Sequence, residues 1–301
     1  MSKIKGKIMF IDIHAHAYRL RPYRVDNGNW VGPEELLAFY DKHNIEAGVL
    51  MPIVSPECNC VQACEDILEM AEKYKGRFIP FCNLDPRAVS NDAHSPLEKV
   101  LLHYKECGCC GVGEITANLS FFDPKMRNLM RAAEIAKLPL TFHIAHRNDG
   151  CYGIVDAPGL PGLTESLVKY PNLIFFGHSV GFWSEISEME TPMERFLYPT
   201  GKVREGVVPK LMRLFPNLMG DLSAGSGANA LMRDPEYAVK FLNEFQDRLC
   251  FGMDICLDPT DNNARLAYFL IKLRDEGKIS DTVFRKVARE NALRILGLQQ
   301  G

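Results

Sequence analysis

The sequence predicts an α/β fold, a (β/α)8 barrel, on three observations. Along the 301 residues, eight short apolar runs rich in β-branched residues alternate with longer helical patterns, as in a parallel sheet covered by helices. Eight strand–helix pairs are also the number that closes a barrel. Metal-binding residue types follow most of these runs, and in a barrel the carboxyl ends of the strands converge on one mouth. The pattern of strands and helices alone also fits a doubly wound open sheet. The position of the polar residues at the strand ends favours the barrel.

The apolar runs predict eight strands. Runs of this kind, with few polar interruptions, are typical of strands that are buried on both faces. In chain order the predicted strands are Ile8–Ile13, Glu46–Met51, Phe78–Asn83, Gly111–Ile115, Leu140–Ile144, Leu173–Gly177, Leu218–Leu222 and Leu249–Gly252.

The segments between the strands predict helices. Several begin with proline, which lacks an N–H but is tolerated in the first helical turn because the N–H groups there have no partner within the helix. Asp123 is placed to cap the helix that follows it. The predicted helices are Pro33–His43, Cys60–Lys75, Pro96–Glu106, Pro124–Ala136, Pro161–Tyr170, Pro209–Phe215, Asn229–Phe245 and Asn262–Glu276.

Composition predicts a single globular domain over residues 1–301, because no linker, low-complexity tract or charge block divides the chain. Hydrophobic residues make up 47% and charged residues 24%, which is typical of globular proteins. No apolar run approaches the ~20 residues of a membrane span. The apolar run behind the basic start of the chain stops at Asp12, which is too short for a signal-peptide core. We therefore expect a cytoplasmic protein that does not bind membranes.

Charge and cysteine content exclude further classes. The net charge is −3 and the basic residues are scattered, whereas a nucleic-acid binder usually has a basic face. Ten cysteines in a large chain without a signal peptide indicate reduced thiols or metal ligands. The dense groups Cys58–Cys64 and Cys107–Cys110 lack the two paired Cys-x-x-Cys motifs of a zinc ribbon, so we expect core and loop thiols.

Residues able to bind metal stand at the ends of six predicted strands. They occur in Asp12-Ile13-His14-Ala15-His16, Gly113-Glu114, Phe142-His143, Gly177-His178, Gly220-Asp221 and Met253-Asp254. His14 and His16 are separated by one residue, so on a strand both imidazoles point to the same face and can chelate one divalent ion. A lone histidine is more often a hydrogen-bonded strand end, but this pair, matched by the later histidines and Asp254, predicts a metal site.

Two acidic residues have several interpretations. Glu114 can bridge two metals, act as acid or base, or form a salt bridge at the barrel rim. Asp12 shares the predicted parity of His14 and is expected to orient a ligand imidazole. The sequence contains no motif for a nucleotide-binding site or a serine nucleophile, since it lacks a nucleotide-binding glycine loop, a Walker loop and a Gly-x-Ser-x-Gly nucleophile elbow.

This ordered set resembles the amidohydrolase superfamily, and within it the amidohydrolase-2 branch. The resemblance covers nearly the whole chain. It is carried by Asp12–His16, His143, His178, Phe251–Asp254 and Glu290–Leu296, the last of which is similar to the closing helix of the family.

The resemblance implies a divalent metal at the barrel mouth, in one of two arrangements. In a mononuclear version His14, His16, His143 and Asp254 hold one ion and His178 is the catalytic acid or base. In a binuclear version Glu114 bridges two ions, one held by His14, His16 and Asp254 and the other by His143 and His178. The Gly113–Ile115 motif favours the binuclear version. Zinc is the expected ion and manganese the alternative.

The expected function is a metal-dependent hydrolase of a small amide, lactone or ester. Asp254 is expected to take a proton from metal-activated water and pass it to the leaving group. The alternative is a metal-dependent non-oxidative decarboxylase or hydratase of an aromatic or dienoic acid. The acidic pI of 6.3 disfavours a third alternative, a TatD-like nuclease. A barrel that binds a metal or ligand without catalysing a reaction is also disfavoured, because Asp254 would then have no evident function.

The substrate pocket is less defined by the sequence. The long loop Phe182–Pro209 is expected to shape it, with Trp183, Arg195, Tyr198 and Arg204 as candidate lining residues. His146 is a candidate substrate contact. The partner is therefore expected to be a small molecule, and a homo-oligomer is compatible with the sequence.

Overall fold

The computed structural model describes residues 9–24, 28–145 and 151–298, which form a (β/α)8 barrel. All eight strands are parallel to their neighbours. They are β1 Phe10–Ala15, β2 Ile45–Leu50, β3 Phe78–Pro80, β4 Val112–Ile115, β5 Leu140–His143, β6 Phe175–His178, β7 Leu218–Asp221 and β8 Leu249–Cys250.

Two short connections close the strands into a barrel. Ladder hydrogen bonds order them as β1-β2-β3 and β4-β5-β6-β7-β8. A parallel bridge between Cys82 and Val112 joins the end of β3 to β4, and a second between Ala15 and Ile255 joins β1 to the segment after β8. The predicted fold class is confirmed.

The helices cover the outside of the strands. They are α1 Pro33–His43, α2 Cys64–Lys73, α3 Leu97–Glu106, α4 Pro124–Ala136, α5 Pro161–Lys169, α6 Val180–Trp183, α7 Val207–Leu214, α8 Ala224–Met232, α9 Pro235–Glu244, α10 Arg265–Asp275, α11 Asp281–Arg285 and α12 Asn291–Ile295. No helix within the described ranges has the length and apolar character needed to span a bilayer.

Local capping explains where helices begin. The predicted bounds of α1 and α4 are confirmed, and the carboxylate of Asp123 accepts a hydrogen bond from the main-chain N–H of Lys125 at 2.7 Å. The single helix predicted over Asn229–Phe245 is wrong, because α8 and α9 are separate. Pro235 has no N–H with which to continue a helix, and Asp234 caps α9 through the main-chain N–H of Tyr237 at 3.3 Å.

The segment after β8 remains beside β1. Strand β8 ends two residues earlier than predicted, yet the N–H of Ile13 donates to the carbonyl of Phe251 at 2.9 Å. The N–H of Asp254 then donates to the carbonyl of His14 at 2.8 Å. Asp254 has a left-handed φ of 53°, a conformation that aspartate tolerates better than most residues. These bonds hold Asp254 against the first strand at the mouth of the barrel.

The core has two main parts. A large cluster packs the outward side chains of the strands against the helices, with Phe142, Phe175 and Trp183 among its largest members. A second cluster joins strand residues such as Ile79 and Phe176 to the C-terminal helix α12. Burial of these side chains, at roughly 25 cal/mol per Å² of apolar surface, stabilises the frame that carries the polar strand ends.

Candidate metal centre

The six predicted ligands lie together at the carboxyl ends of the strands, in two groups. In the first, the Nε2 atoms of His14 and His16 are 3.2 Å apart. Oε2 of Glu114 lies 3.6 Å from each of these nitrogens. Oδ1 of Asp254 lies 3.7 Å from His14 Nε2 and 3.4 Å from His16 Nε2. Each of the two carboxylate oxygens therefore lies within 3.7 Å of both imidazole nitrogens.

The second group uses the other oxygens of the same two carboxylates. Oε1 of Glu114 lies 2.7 Å from Nδ1 of His143 and 3.5 Å from Nε2 of His178. Oδ2 of Asp254 lies 3.6 Å from Nε2 of His178. Glu114 thus stands between two pairs of imidazoles, and Asp254 contacts three of the four rings.

Hydrogen bonds on the far side of the His14 and His16 rings direct the other ring nitrogen into the site. Nδ1 of His16 lies 2.8 Å from the carbonyl oxygen of Met51, which can only accept, so Nδ1 carries the proton. Nδ1 of His14 donates to the carboxylate of Asp221 at 2.6 Å. Burial acts to lower the pKa of both rings, but the carboxylates around them hold the pKa of His14 well above its usual range and raise that of His16 to about 9. Without a metal ion both rings are therefore cationic at pH 7, and a bound ion would displace the proton from Nε2 to reach its lone pair.

His178 is held in a similar way. Its Nδ1 lies 2.9 Å from the hydroxyl of Ser223 and 3.5 Å from Asp221. Burial and the neighbouring charge of His14 lower the pKa of His178 to about 4, so its ring is neutral at pH 7. Burial acts to raise the pKa of Glu114, but the imidazoles around it, His143 first, hold that pKa well below its usual range.

The donor set fits a divalent metal ion. Ligand atoms at 2.0–2.2 Å from a tetrahedral ion are about 3.4 Å from one another, and the donor separations in the first group are 3.2–3.7 Å. Nitrogen and carboxylate oxygen suit zinc and manganese alike. Three sets of three side chains have donor atoms within 4.8 Å of one another: His14–His16–Glu114, Glu114–His143–His178 and His14–His178–Asp221.

The expectation that Asp12 orients a ligand imidazole, such as that of His14, is wrong. Asp12 does not bond the imidazole, because its carboxylate accepts the main-chain N–H groups of His14 and Met253 and the hydroxyl of Tyr40. A register shift in the β1–β2 pairing between Asp12 and Ala15 breaks the alternation on which that prediction relied. Asp221 makes the bond instead. Its position at a strand end was visible in the sequence, whereas Ser223 had no such signal.

A cavity of about 510 Å³ opens above the cluster. His16, Glu114, His143 and Asp254 reach its floor, and the walls are largely aromatic or apolar. The wall residues are Tyr18, Tyr23, Arg24, Trp30, Ile53, Glu57, Cys58, Asn59, Cys60, Thr116, Tyr152 and Cys256.

The predicted lining by the loop Phe182–Pro209 is wrong. Trp183 is buried and donates its indole N–H to the carbonyl of Asp221. Arg195 is buried in an ion pair with Glu185, while Tyr198 lines a separate surface pocket and Arg204 pairs with Glu190. The walls come instead mainly from segments after β1 and β2, with single residues after β4, β5 and β8. His146 lies outside the described residues.

The cysteines of the described residues take no part in the metal-capable groups, which contain only histidine, aspartate and glutamate. All ten are free thiols.

Solved structures with the same fold cover almost all of the chain. An uncharacterised TIM-barrel protein from Bordetella bronchiseptica is 16% identical, with a TM-score of 0.65 over 96% of this chain and 98% of that one. An amidohydrolase with bound zinc from Burkholderia multivorans is 14% identical, with a TM-score of 0.64 over 97% and 100%. A putative 2-pyrone-4,6-dicarboxylic acid hydrolase from Pseudomonas putida is 14% identical, with a TM-score of 0.62 over 98% and 99%.

Proteins with other activities share the fold as well. Two 5-carboxyvanillate decarboxylases, one of them with bound manganese, and a 4-oxalomesaconate hydratase have TM-scores of 0.52–0.58 at 11–16% identity. No curated protein matches the sequence. The sequence profile of the amidohydrolase family matches residues 11–298. With the barrel and the cluster of strand-end imidazoles and carboxylates in place, the chain belongs to the amidohydrolase family of enzymes.

Proposed function

We propose that the protein is a metal-dependent hydrolase of a small amide, lactone or ester. The observation that carries this proposal is the position of Glu114, with one carboxylate oxygen facing His14 and His16 and the other facing His143 and His178. A carboxylate that faces two imidazole pairs suits two divalent ions. The arrangement therefore supports the binuclear version of the site over the mononuclear one.

In this proposal each ion has its own ligands. His14, His16 and Asp254 hold the first, His143 and His178 hold the second, and Glu114 is shared. When bound, divalent ions polarise a carbonyl group and lower the pKa of water to about 7. We propose zinc, with manganese as the alternative, since structures of this fold include one with zinc and one with manganese.

Asp254 is the proposed base. Its side chain is 24% exposed, whereas that of Glu114 is 6% exposed, and both reach the cavity floor. Its oxygens are therefore the ones best placed to accept a proton from a water in the cavity and return it to the leaving atom. His178 does not line the cavity and bonds Ser223 on its far side. We assign it to metal binding, and its predicted acid–base role belongs to the mononuclear version.

The cavity supports a small substrate with a flat, apolar part. Tyr18, Trp30 and Tyr152 present rings to it, and the ring of Tyr152 packs against that of His143 at 4.6 Å between centroids. A volume near 510 Å³ lies within the range of small-molecule sites.

The aromatic walls also suit the second candidate, a decarboxylase or hydratase of an aromatic or dienoic acid. The decarboxylases and the hydratase with the same fold support this alternative. It differs from hydrolysis in its product, since decarboxylation releases carbon dioxide and hydration adds water without cleaving the substrate.

The test is metal analysis followed by a substrate screen. We expect about two divalent ions per chain and, with zinc- or manganese-loaded protein, cleavage of at least one lactone, ester or amide. Asp254→Asn is expected to abolish most of that turnover, while Asp123→Asn, the same change at a helix cap, leaves it intact. Carbon dioxide release from aromatic acids without hydrolysis would replace the first proposal by the second. Protein that takes up no divalent metal would overturn both.

A further inference from the structure

Two thiols in the cavity wall stand beside the metal centre. Cys58 and Cys60 lie in the segment between β2 and α2 and line the cavity together with His16 and Glu114. Gln62 anchors this segment, because its main-chain N–H donates to the carbonyl of Ile53 at 2.7 Å and its side-chain amide to that of Ala17 at 2.9 Å. The two cysteines are therefore held near each other and near the first strand.

Cys58 packs against the small cluster that Cys60 forms with Tyr18 and Ile53 in the cavity wall. A thiol or hydroxyl group beside a sulfur can stabilise the anionic form of that sulfur. In agreement, the interaction with Cys58, joined by that with Tyr18, lowers the pKa of Cys60 to about 6 against the opposing effect of burial. The same interaction, together with burial, raises the pKa of Cys58.

We propose that Cys58 and Cys60 form a redox-active dithiol in the cavity wall, which hydrogen peroxide oxidises reversibly to an intrachain disulfide. Residues two apart in a chain are separated by at most about 7 Å, and a disulfide spans 4.4–6.8 Å between Cα atoms. Residues 56–59 adopt turn and bend conformations, which shorten a segment, so the spacing of the two cysteines is compatible with a disulfide.

The chemistry needs one peroxide and no metal. The thiolate of Cys60 attacks an oxygen of the peroxide, forming an S–O bond and breaking the O–O bond, and one water leaves after protonation. The sulfur of Cys58 then attacks that of Cys60, the S–S bond forms, and a second water leaves. The two sulfurs lose two electrons in total and the peroxide gains them.

The disulfide would alter the wall next to the metal ligands. Oxidised Cys60 carries no thiolate charge beside Tyr18, and both residues border the cavity. The proposal concerns the state of the thiols and holds whether or not the barrel is a hydrolase.

Other cysteines of the chain serve as controls. Cys107 is exposed and does not line the cavity, whereas Cys256 lines it but is distant in sequence from Cys58 and Cys60. Burial raises the pKa of Cys256. Cys107→Ser and Cys256→Ser therefore separate general thiol reactivity and cavity location from the specific pairing.

The experiment treats zinc-loaded full-length protein with a small excess of hydrogen peroxide. We expect the thiol titre after unfolding to fall by two from the ten of the reduced chain, and the mass to fall by about 2 Da. Alkylation of the peroxide-treated chain after unfolding is expected to modify Cys64 but not Cys58 or Cys60. Dithiothreitol added before alkylation is expected to make both of these thiols reactive again. Cys107→Ser and Cys256→Ser are expected to behave like wild type.

Two further variants test the order of events. Cys58→Ser leaves the oxidised Cys60 without its partner, so a sulfenic acid is expected that dimedone traps. Cys60→Ser is expected to consume peroxide at least ~10-fold more slowly than wild type, because the stabilised thiolate is absent. Equal rates for Cys60→Ser and wild type, or first oxidation at another cysteine without a 58–60 disulfide, would overturn the proposal. Metal content and circular dichroism verify that each variant is folded.

Discussion

Asp254 and His14 contribute differently to the centre although their side chains face each other. Asp254→Asn keeps the size of the side chain and one coordinating oxygen but removes the basic group. We expect its metal content to fall modestly and its turnover to fall about 10²-fold or more, the usual loss when a general base is removed. His14→Ala removes a buried ligand, so metal content and turnover are expected to fall together. Elemental analysis beside steady-state rates distinguishes the two outcomes.

The Asp254→Asn and His14→Ala variants can be compared directly because both residues belong to the same cluster of proposed metal ligands. Full turnover of metal-bound Asp254→Asn would show that Asp254 is a structural carboxylate at the rim and that the proposed proton transfer is wrong. Retention of metal by His14→Ala would show that His14 is dispensable as a ligand.

A variant of Asp221 tests how strongly metal binding depends on a residue that orients a proposed ligand histidine. Its carboxylate accepts from His14 Nδ1 at 2.6 Å, while its carbonyl accepts the indole N–H of Trp183. Asp221→Ala removes the first contact and leaves the second. We expect metal affinity to fall 10–100-fold, as for other partners that orient ligand histidines. Asp221→Asn keeps an oxygen acceptor and is expected to lose less.

Competition with a chelator of known affinity measures this effect. Wild-type affinity in Asp221→Ala would mean that the β1 backbone alone orients His14. Unchanged circular dichroism is the control for loss of structure, because Asp221 is buried.

At the scale of elements, His43 connects the end of α1 to the start of α10. Its Nδ1 lies 2.8 Å from the hydroxyl of Tyr268 on α10, and its Nε2 lies 3.2 Å from Asp261 in the 3-10 turn before α10. Burial lowers the pKa of His43, against the opposing effect of Asp261, and the charge of Lys42 acts in the same direction as burial. The neutral ring is therefore the native form.

This pKa shift predicts a pH dependence of stability. Below about pH 6.5 the unfolded chain binds a proton at His43 more readily than the folded chain, so the free energy of unfolding falls as pH falls through this range. His43→Gln is expected to show a smaller decrease. Urea unfolding at about pH 7.5 and about pH 5.5 measures it.

The control for this comparison is His94→Gln, at an exposed position of a loop. It is expected to follow wild type. An equal loss of stability in His43→Gln and wild type would mean that other groups account for the acid sensitivity.

At the scale of the whole molecule, the metal centre connects the first and last strands of the barrel. His14 and Asp254 are far apart in sequence, and their contact depends on closure between β1 and the segment after β8. An ion that binds only the folded chain stabilises it by about 2.7 kcal/mol when present at 100 times its Kd.

Chelation is therefore expected to lower the Tm by about 4 °C for a chain of this length, and zinc or manganese to restore it. Differential scanning calorimetry with and without chelator measures this. His14→Ala is expected to show little response to added metal. A wild-type Tm that does not change on metal removal would contradict a metal site at the strand ends.

Local patterns in the sequence determined much of this protein. Apolar runs and proline starts predicted the eight strands and the bounds of α1 and α4, because these features depend on residues that are neighbours in the chain. The spacing of His14 and His16 and the strand-end positions of Glu114 and Asp254 predicted the cluster, since parallel strands of a barrel end at one mouth.

The tertiary structure decided the hydrogen-bond partners of the proposed metal ligands and the residues that form the cavity walls. Asp221, rather than Asp12, orients His14, because the carboxylate of Asp12 accepts from two main-chain N–H groups and from the hydroxyl of Tyr40. The segment that carries Cys58 and Cys60, rather than the loop Phe182–Pro209, lines the cavity. Local sequence determines which strands and helices form, but hydrogen-bond partners and cavity walls depend on strand register and loop direction. Those are set by packing between residues that are distant in the chain.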